Sequence, residues 1–253
     1  MSTVSSGPVR GALQGVCPHL LTGIAKTVIE AALEAELVAH LDHTRSDIGW
    51  RCHRGNSRNG SRRKTVRTTL GAVEIDAPRD RWGTFEPVTV GKWRREGAGI
   101  DRVLLPLAAK GTPPDVARSL LSLVYPSDVS EGTLRRIAAT VRERLSGWHE
   151  KDLGSGIETV AVHLSALRGV RGQVLGLPFA TVVGSAGADL RGSARVELLS
   201  LHAVSPDRSD EPWGAVLEDL RRRGLVGVRA VVGDGSESLR RAVSGVWADA
   251  AFS

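Results

Sequence analysis

The stretch Val228-Arg229-Ala230-Val231-Val232-Gly233-Asp234-Gly235-Ser236 decides how the C-terminal part of the chain is read. A short apolar run that ends in glycine and leads straight into a helical pattern is the sequence form of a buried strand followed by a helix. Upstream of it, Pro212–Arg223 carries Trp213, Val216, Leu217 and Leu220 at helical spacing. Arg221, Arg222 and Arg223 fill the last turn and Gly224 stops it. Thr159–Leu164, Val174–Val183 and Val196–Val204 read as strands separated by glycine-rich turns. Strand, strand, strand, helix, strand, helix is an α/β arrangement around one sheet.

Asp234 stands between two glycines at the end of its strand. Carboxylates at strand ends of an open α/β sheet face the crevice where ligands bind, and the glycines let a metal ion or phosphate come close. The same pattern fits an N-cap for the helix that begins at Ser236. Metal-assisted phosphoryl transfer needs two or three converging carboxylates, and the first strand of this region, Val160-Ala161-Val162-His163-Leu164-Ser165, has none. His163 reads as structural. Gly184-Ser185-Ala186-Gly187 lacks the lysine of a phosphate-binding loop, and Ser165 has no hydrolase signature around it.

Nearer the N-terminus, Leu20, Ile24, Val28, Ala32, Leu33, Leu37 and Leu41 fall at helical spacing, with Glu30, Glu34 and Glu36 as polar positions. Arg51–Arg67 then holds seven basic residues and no acid: Arg51, Arg54, Arg58, Arg62, Arg63, Lys64 and Arg67. Its interspersed Gly55, Asn56, Asn59 and Gly60 read as a loop or flexible arm, either simply solvated or lying along a nucleic-acid backbone. Val66–Leu70 and Ala72–Ile75 form a small hairpin around Gly71 that ends at Pro78, and a second basic cluster, Lys92, Arg94 and Arg95, surrounds Trp93. Three helices follow. The first holds Val103, Leu104, Leu107 and Ala108. The second has Thr112 as N-cap and Pro113 at its first position, and the third is capped by Asp128-Val129-Ser130 and contains Leu134, Ile137, Val141 and Leu145. They suit either a helix-turn-helix-like module whose last helix offers Arg135 and Arg136 to DNA, or a plain bundle. The chain thus divides into residues 1–98, 99–150 and 151–253.

Composition bounds these readings. The 253 residues include 34 Lys plus Arg against 28 Asp plus Glu, a net charge of +6, with 41% hydrophobic and 25% charged residues, which excludes a wholly disordered or fibrous chain. Of the basic residues 29 are Arg, the better fork for phosphate oxygens, so nucleic acid is a plausible partner. Cys17 and Cys52 make no metal or disulfide pattern. No apolar run is long enough for a membrane span or signal peptide, so the expected setting is the cytoplasm. The tryptophans, Trp50, Trp82, Trp93, Trp148, Trp213 and Trp247, are spread along the chain as core anchors rather than a stacking platform.

The strings Gly55-Asn56-Ser57-Arg58-Asn59-Gly60, Lys64-Thr65-Val66 and Gly71-Ala72-Val73-Glu74-Ile75-Asp76-Ala77-Pro78-Arg79-Asp80-Arg81 resemble the N-terminal signature of the Mutator family of bacterial insertion-sequence transposases. The likeness continues through Gly83-Thr84-Phe85-Glu86-Pro87, Val129–Leu134 and Trp213–Gly224, covering the chain from about Leu33 onward.

The resemblance implies an α+β chain: a helical, helix-turn-helix-like N-terminal DNA-binding region, then an incomplete RNase H-like α/β domain. It implies DNA transposition, in which two aspartates and a glutamate hold Mg²⁺ and the substrate is the terminal inverted repeats of the element. The second family aspartate falls on Asp234, which makes it the metal candidate; the first falls on Ser165, a departure. The family's Cys-x-x-His segment and glutamate helix lie beyond Ser253. The expectation is therefore a truncated, catalytically inactive copy that binds DNA through Arg51, Arg54, Arg58, Arg62, Arg63, Lys64, Arg135 and Arg136. Such a copy pairs with itself or with an intact transposase, as a regulator or inhibitor, or is a non-functional remnant whose sheet edge and Trp247 stay uncovered.

Overall fold

The computed structural model describes residues 18–48, 55–68, 70–91, 100–165, 178–186, 196–204 and 212–253. These form two compact units, one of Thr22–Ala108 with Pro113–Ser146, the other built mainly of Gly147–Ser253 with Ala109–Thr112. The mixed α and β content read from the sequence is present. Arg51, Arg54, Trp50, Trp93 and the Lys92–Arg95 cluster lie outside the described residues, as do positions 174–177 of the expected second strand.

The first unit is organised by α1, Pro18–Ile48. It is longer than the apolar spacing alone indicates, and it is buried on more than one face: Val28, Ile29, Ala31, Ala32, Leu33 and Leu37 are all inaccessible. A helix apolar on most sides must be covered on most sides. The same unit holds the antiparallel hairpin of β1, Arg58–Thr68, and β2, Gly71–Asp80, and the helices α2, Ile100–Ala108, α3, Pro114–Leu121, and α4, Glu131–His149, with α1 bonded to the hairpin through Glu30 and Glu34 and to α4 through Asp42. Val66, Val73 and Ile75 bury the hairpin's inner face, and Leu120, Leu121, Ile137 and Val141 bury the helices. The N-cap of α3 is Pro113 with Pro114 following, one residue later than expected. Thr112 does not cap because its hydroxyl donates back to Ala109 O at 2.9 Å, within the preceding turn. Ser130 caps α4 as read, accepting from Thr133 N at 3.2 Å.

The second unit holds a five-stranded sheet. Its strands are β3, Ile157–Ser165, β4, Phe179–Ala186, β5, Val196–Ala203, β6, Ala230–Val232, and β7, Ala251–Phe252, in the order β5-β4-β3-β6-β7. The β3–β4 and β4–β5 pairs are antiparallel, whereas β6 pairs parallel with β3 and β7 parallel with β6. One face of the sheet buries Val160, Val162, Ala180, Val182 and Leu199 beneath two helices. These are α5, Pro212–Arg222, through Trp213, Val216, Leu217 and Leu220, and α6, Glu237–Val246, through Leu239 and Val243. Gly224 terminates α5 at a φ of 84°, the left-handed conformation that favours glycine after a helix. Against expectation, β6 is not a bare edge and Trp247 is not uncovered. Ala251 and Phe252 pair with Ala230 and Val231, and Trp247 is buried with Nε1 donating to Leu225 O at 3.2 Å.

Candidate functional site

The basic stretch is not an arm from Arg58 onward: it is strand β1. Its backbone groups are matched by β2, with Lys64 opposite Ile75 and Val66 opposite Val73, and the Asn59-Gly60 pair is taken up by a register shift between Arg58 and Ser61. Pairing plus burial of Val66 outweighs the loop preference of the local sequence.

The far end of the hairpin is fixed by a buried polar node. Asp80 accepts from Asn56 Nδ2 at 2.7 Å, Thr84 Oγ1 at 2.8 Å, Thr84 N at 3.0 Å and Phe85 N at 3.2 Å. Gly83, at a φ of 72°, turns the chain so that these two amides point back at the carboxylate. Asn56 accepts with Oδ1 from Ser57 N at 3.0 Å and Trp82 N at 3.2 Å, and His40 Nε2 of α1 lies 3.7 Å from Asp80. Burial alone would push the Asp80 carboxyl up; the hydrogen bonds from Asn56, Thr84 and Phe85 overcome it and hold the group well below its ordinary value. A carboxyl lowered in the fold stabilises above its unfolded pKa and loses that contribution as pH falls toward the folded one. Asp80→Asn is therefore expected to destabilise most near neutrality, with the deficit shrinking once pH falls below 3.8. Urea denaturation near neutrality and at about pH 3 checks this, and a deficit that does not change with pH contradicts it.

Beside the node a groove of about 1130 Å³ opens, bordered by Arg62, Arg63, Lys64, Arg67, Arg79 and Arg81 and by the ring of Trp82. Arg63 shares Glu74 at 3.5 Å, and Lys64 Nζ donates to Gly91 O at 2.9 Å, its burial drawing the ammonium pKa down. Among the described residues no carboxylate stands within ion-pair distance of Arg67, Arg79 or Arg81. Arg58, at the start of β1, pairs with Glu34 of α1 and does not line the groove. Trp82 is 43% exposed, so the reading of all six tryptophans as core anchors fails at this position, while it holds for Trp213 and Trp247. Arg67, Arg79, Arg81 and Trp82 were not singled out as binding residues from sequence. The cue was the Arg-Asp-Arg-Trp order at the end of an alternating strand.

The two α4 arginines do not join this groove. Arg135 pairs with Glu131 at 3.0 Å within the helix, and Arg136 with Asp42 of α1 at 2.9 Å.

In the other unit, Ser165 is the last residue of β3, opposite Phe179 of β4, and Asp234 follows the end of neighbouring β6. Asp234 is exposed, and its Oδ1 accepts from Ser236 N at 2.9 Å. Ser236 itself caps α6, accepting from Leu239 N at 3.3 Å. The parallel register, Ala161 beside Val232, runs from β3 to β6, so the ends of β3 and β6 carry one carboxylate, one hydroxyl position and the exposed His163. Among the described residues no three His, Cys, Asp or Glu side chains come together as a metal site. No helix among them is long and apolar enough to cross a membrane.

A family model described as Transposase, Mutator family matches residues 9–253. The chain is 29% identical to the transposase for insertion sequence element ISRM3 of Rhizobium meliloti, over 90% of this chain and 55% of that protein. It is 25% identical to the transposase for IS905 of Lactococcus lactis, over 87% of this chain and 54% of that protein. To the transposase for IS1081 of Mycobacterium tuberculosis it is 24% identical, over 93% and 55%. The chain spans about half the length of the curated relatives it matches.

Proposed function

The chain belongs to the Mutator family of transposases, and from that premise we propose that it acts in DNA transposition as the part that grips the terminal inverted repeats of its element, in the cytoplasm. The observation that carries this reading is the hairpin groove, with six arginine and lysine side chains on its walls. Phosphate contacts of this kind position DNA and supply most of the affinity without reading sequence. Arg62, Arg63 and Lys64 belong to it, Arg58 flanks it, and Arg51 and Arg54 extend the same basic run. Arg135 and Arg136 on α4 supply a second contact in a helix-turn-helix-like arrangement, Arg136 after exchanging Asp42 for phosphate.

The sheet order, with three antiparallel strands beside two parallel ones, supports an RNase H-like reading of the second unit. In that reading Asp234 holds the place of the second family aspartate and Ser165 that of the first. The donor set there does not fit a pair of Mg²⁺ ions: a neutral hydroxyl is a poor ligand for a hard cation, and one Asp234 oxygen is already engaged by a backbone amide. We propose that these residues do not support strand transfer by themselves. A DNA grip kept while the first aspartate is replaced favours a second reading, an inhibitor that occupies element ends and forms mixed oligomers with an intact transposase.

Fluorescence anisotropy with DNA from the element ends and with scrambled DNA, at two salt concentrations, tests the grip. Each phosphate-contacting arginine removed, such as Arg62→Ala or Arg79→Ala, is expected to weaken binding to both DNAs and to lower the salt slope by roughly one. Unchanged salt slopes contradict the assignment. Mg²⁺-dependent joining of element ends by this chain alone contradicts the inactive reading.

A further inference from the structure

From the placement of Trp82 we infer that the hairpin groove takes an unpaired DNA strand, one of whose bases stacks on the Trp82 indole. This inference rests on the DNA-binding reading and deepens it. A large aromatic ring 43% exposed gains nothing for the fold from its outer face. The backbone that carries Trp82 is nevertheless fixed in place. Its backbone amide donates to Asn56, the amide of Arg81 donates to Ser57 O at 2.7 Å, and the turn that follows is locked onto Asp80. A side chain mounted on a rigid polar node is pre-organised for a flat partner. The groove beside it combines an apolar floor, including Pro78 and Phe85, with a rim that bears Arg67, Arg79 and Arg81. Apolar floor, cationic rim and one free aromatic face are what a single strand needs: bases on the floor and ring, phosphates on the arginines. Inside a duplex both faces of every base are covered by its neighbours, so a paired segment uses the rim and offers Trp82 no more than the outer face of its terminal pair.

The test uses the full chain with two DNAs of one sequence, a blunt duplex and a forked duplex carrying 2-aminopurine in its unpaired arm. Wild type is expected to prefer the fork and to quench the 2-aminopurine on binding. Trp82→Leu is expected to lose about tenfold in affinity for the fork and to abolish the quenching, while its affinity for the blunt duplex stays within about twofold. Arg79→Gln is expected to weaken both DNAs alike. Quenching by wild type needs no variant, so a misfolded Trp82→Leu leaves the inference testable, and its absence overturns the inference. Equal losses on both DNAs also overturn it while leaving the grip on DNA in place. If wild type binds neither DNA, the DNA-binding reading falls as well.

Discussion

Glu36→Ala is expected to destabilise the hairpin unit by about 3–5 kcal/mol. Glu36 lies on α1 between Leu33 and Leu37 and is 7% exposed. Its carboxylate accepts from Val88 N at 2.7 Å, Thr89 N at 3.0 Å, Tyr125 OH at 2.5 Å and the Thr89 hydroxyl. Alanine leaves the buried Thr89 amide, the part-buried Val88 amide and the buried Thr89 and Tyr125 hydroxyls without this acceptor, and a buried orphan costs about 1–3 kcal/mol. Glu34→Ala on the same helix removes only an exposed ion pair with Arg58 and is expected to cost less than about 1 kcal/mol. Urea denaturation followed by far-UV circular dichroism separates the two, and similar losses contradict the argument. The pH dependence has the opposite sign to that of Asp80. Burial raises the Glu36 carboxyl above its ordinary 4.5, and the hydrogen bonds from Thr89, Tyr125 and Val88 only partly offset this. A raised carboxyl stabilises below the unfolded pKa and loses that contribution as pH rises through the folded one. The deficit of Glu36→Gln is thus largest in acid and shrinks toward neutrality.

Arg223→Met is expected to cost the α/β unit a comparable 3–5 kcal/mol, about the penalty for removing one partner from a buried charged network. The side chain is 2% exposed. Its guanidinium donates to Lys151 O and Leu199 O at 3.0 Å and to Trp148 O at 3.2 Å, joining the segment before β3 to β5 and α5. Asp219 lies 3.9 Å away. Burial disfavours the Asp219 carboxylate, but His202, Lys110 and Arg222 outweigh it and keep the pKa well below the ordinary range. Methionine fills much of the space yet takes the guanidinium donor from Lys151 O and Leu199 O and leaves Trp148 O only the Lys151 amide at 3.3 Å. Arg223→Lys keeps the charge but lacks the planar fork that reaches three acceptors, so it recovers little. Arg222, one residue earlier and 57% exposed at the side chain, pairs with exposed Glu150 and reaches Asp219 from the solvent side, where Asp219 keeps Lys110 and His202 without it, so Arg222→Ala is expected to cost about 1 kcal/mol or less. Equal losses for the two neighbours contradict this account.

Both residues were half legible. Arg223 continues the apolar stripe of Trp213, Val216, Leu217 and Leu220, and Glu36 sits among Ile29, Leu33 and Leu37, so helical spacing points each inward. Charge argued the other way, for a solvated last turn and a polar face. Asp80 was hidden differently. Val73 and Ile75 set an alternation that turns Asp80 outward, but β2 changes phase near Pro78 and buries it. The Ser165 and Asp234 positions were legible as strand ends because β-branched runs and flanking glycines mark them locally.

Sequence by itself determined the family, through the Arg-Asn-Gly and Pro-Arg-Asp-Arg strings, and the order of strands and helices from Ile157 to Val246, through periods that each segment carries alone. Only the tertiary structure decided that the basic stretch is a strand from Arg58 onward, that its arginines share a groove with Arg79, Arg81 and an exposed Trp82, and that Glu36, Asp80 and Arg223 lie inside. The reason is that burying a polar group depends on its partners. Those partners, Thr89 and Tyr125 for Glu36, Asn56 for Asp80 and Leu199 for Arg223, stand 24 to 89 residues away along the chain.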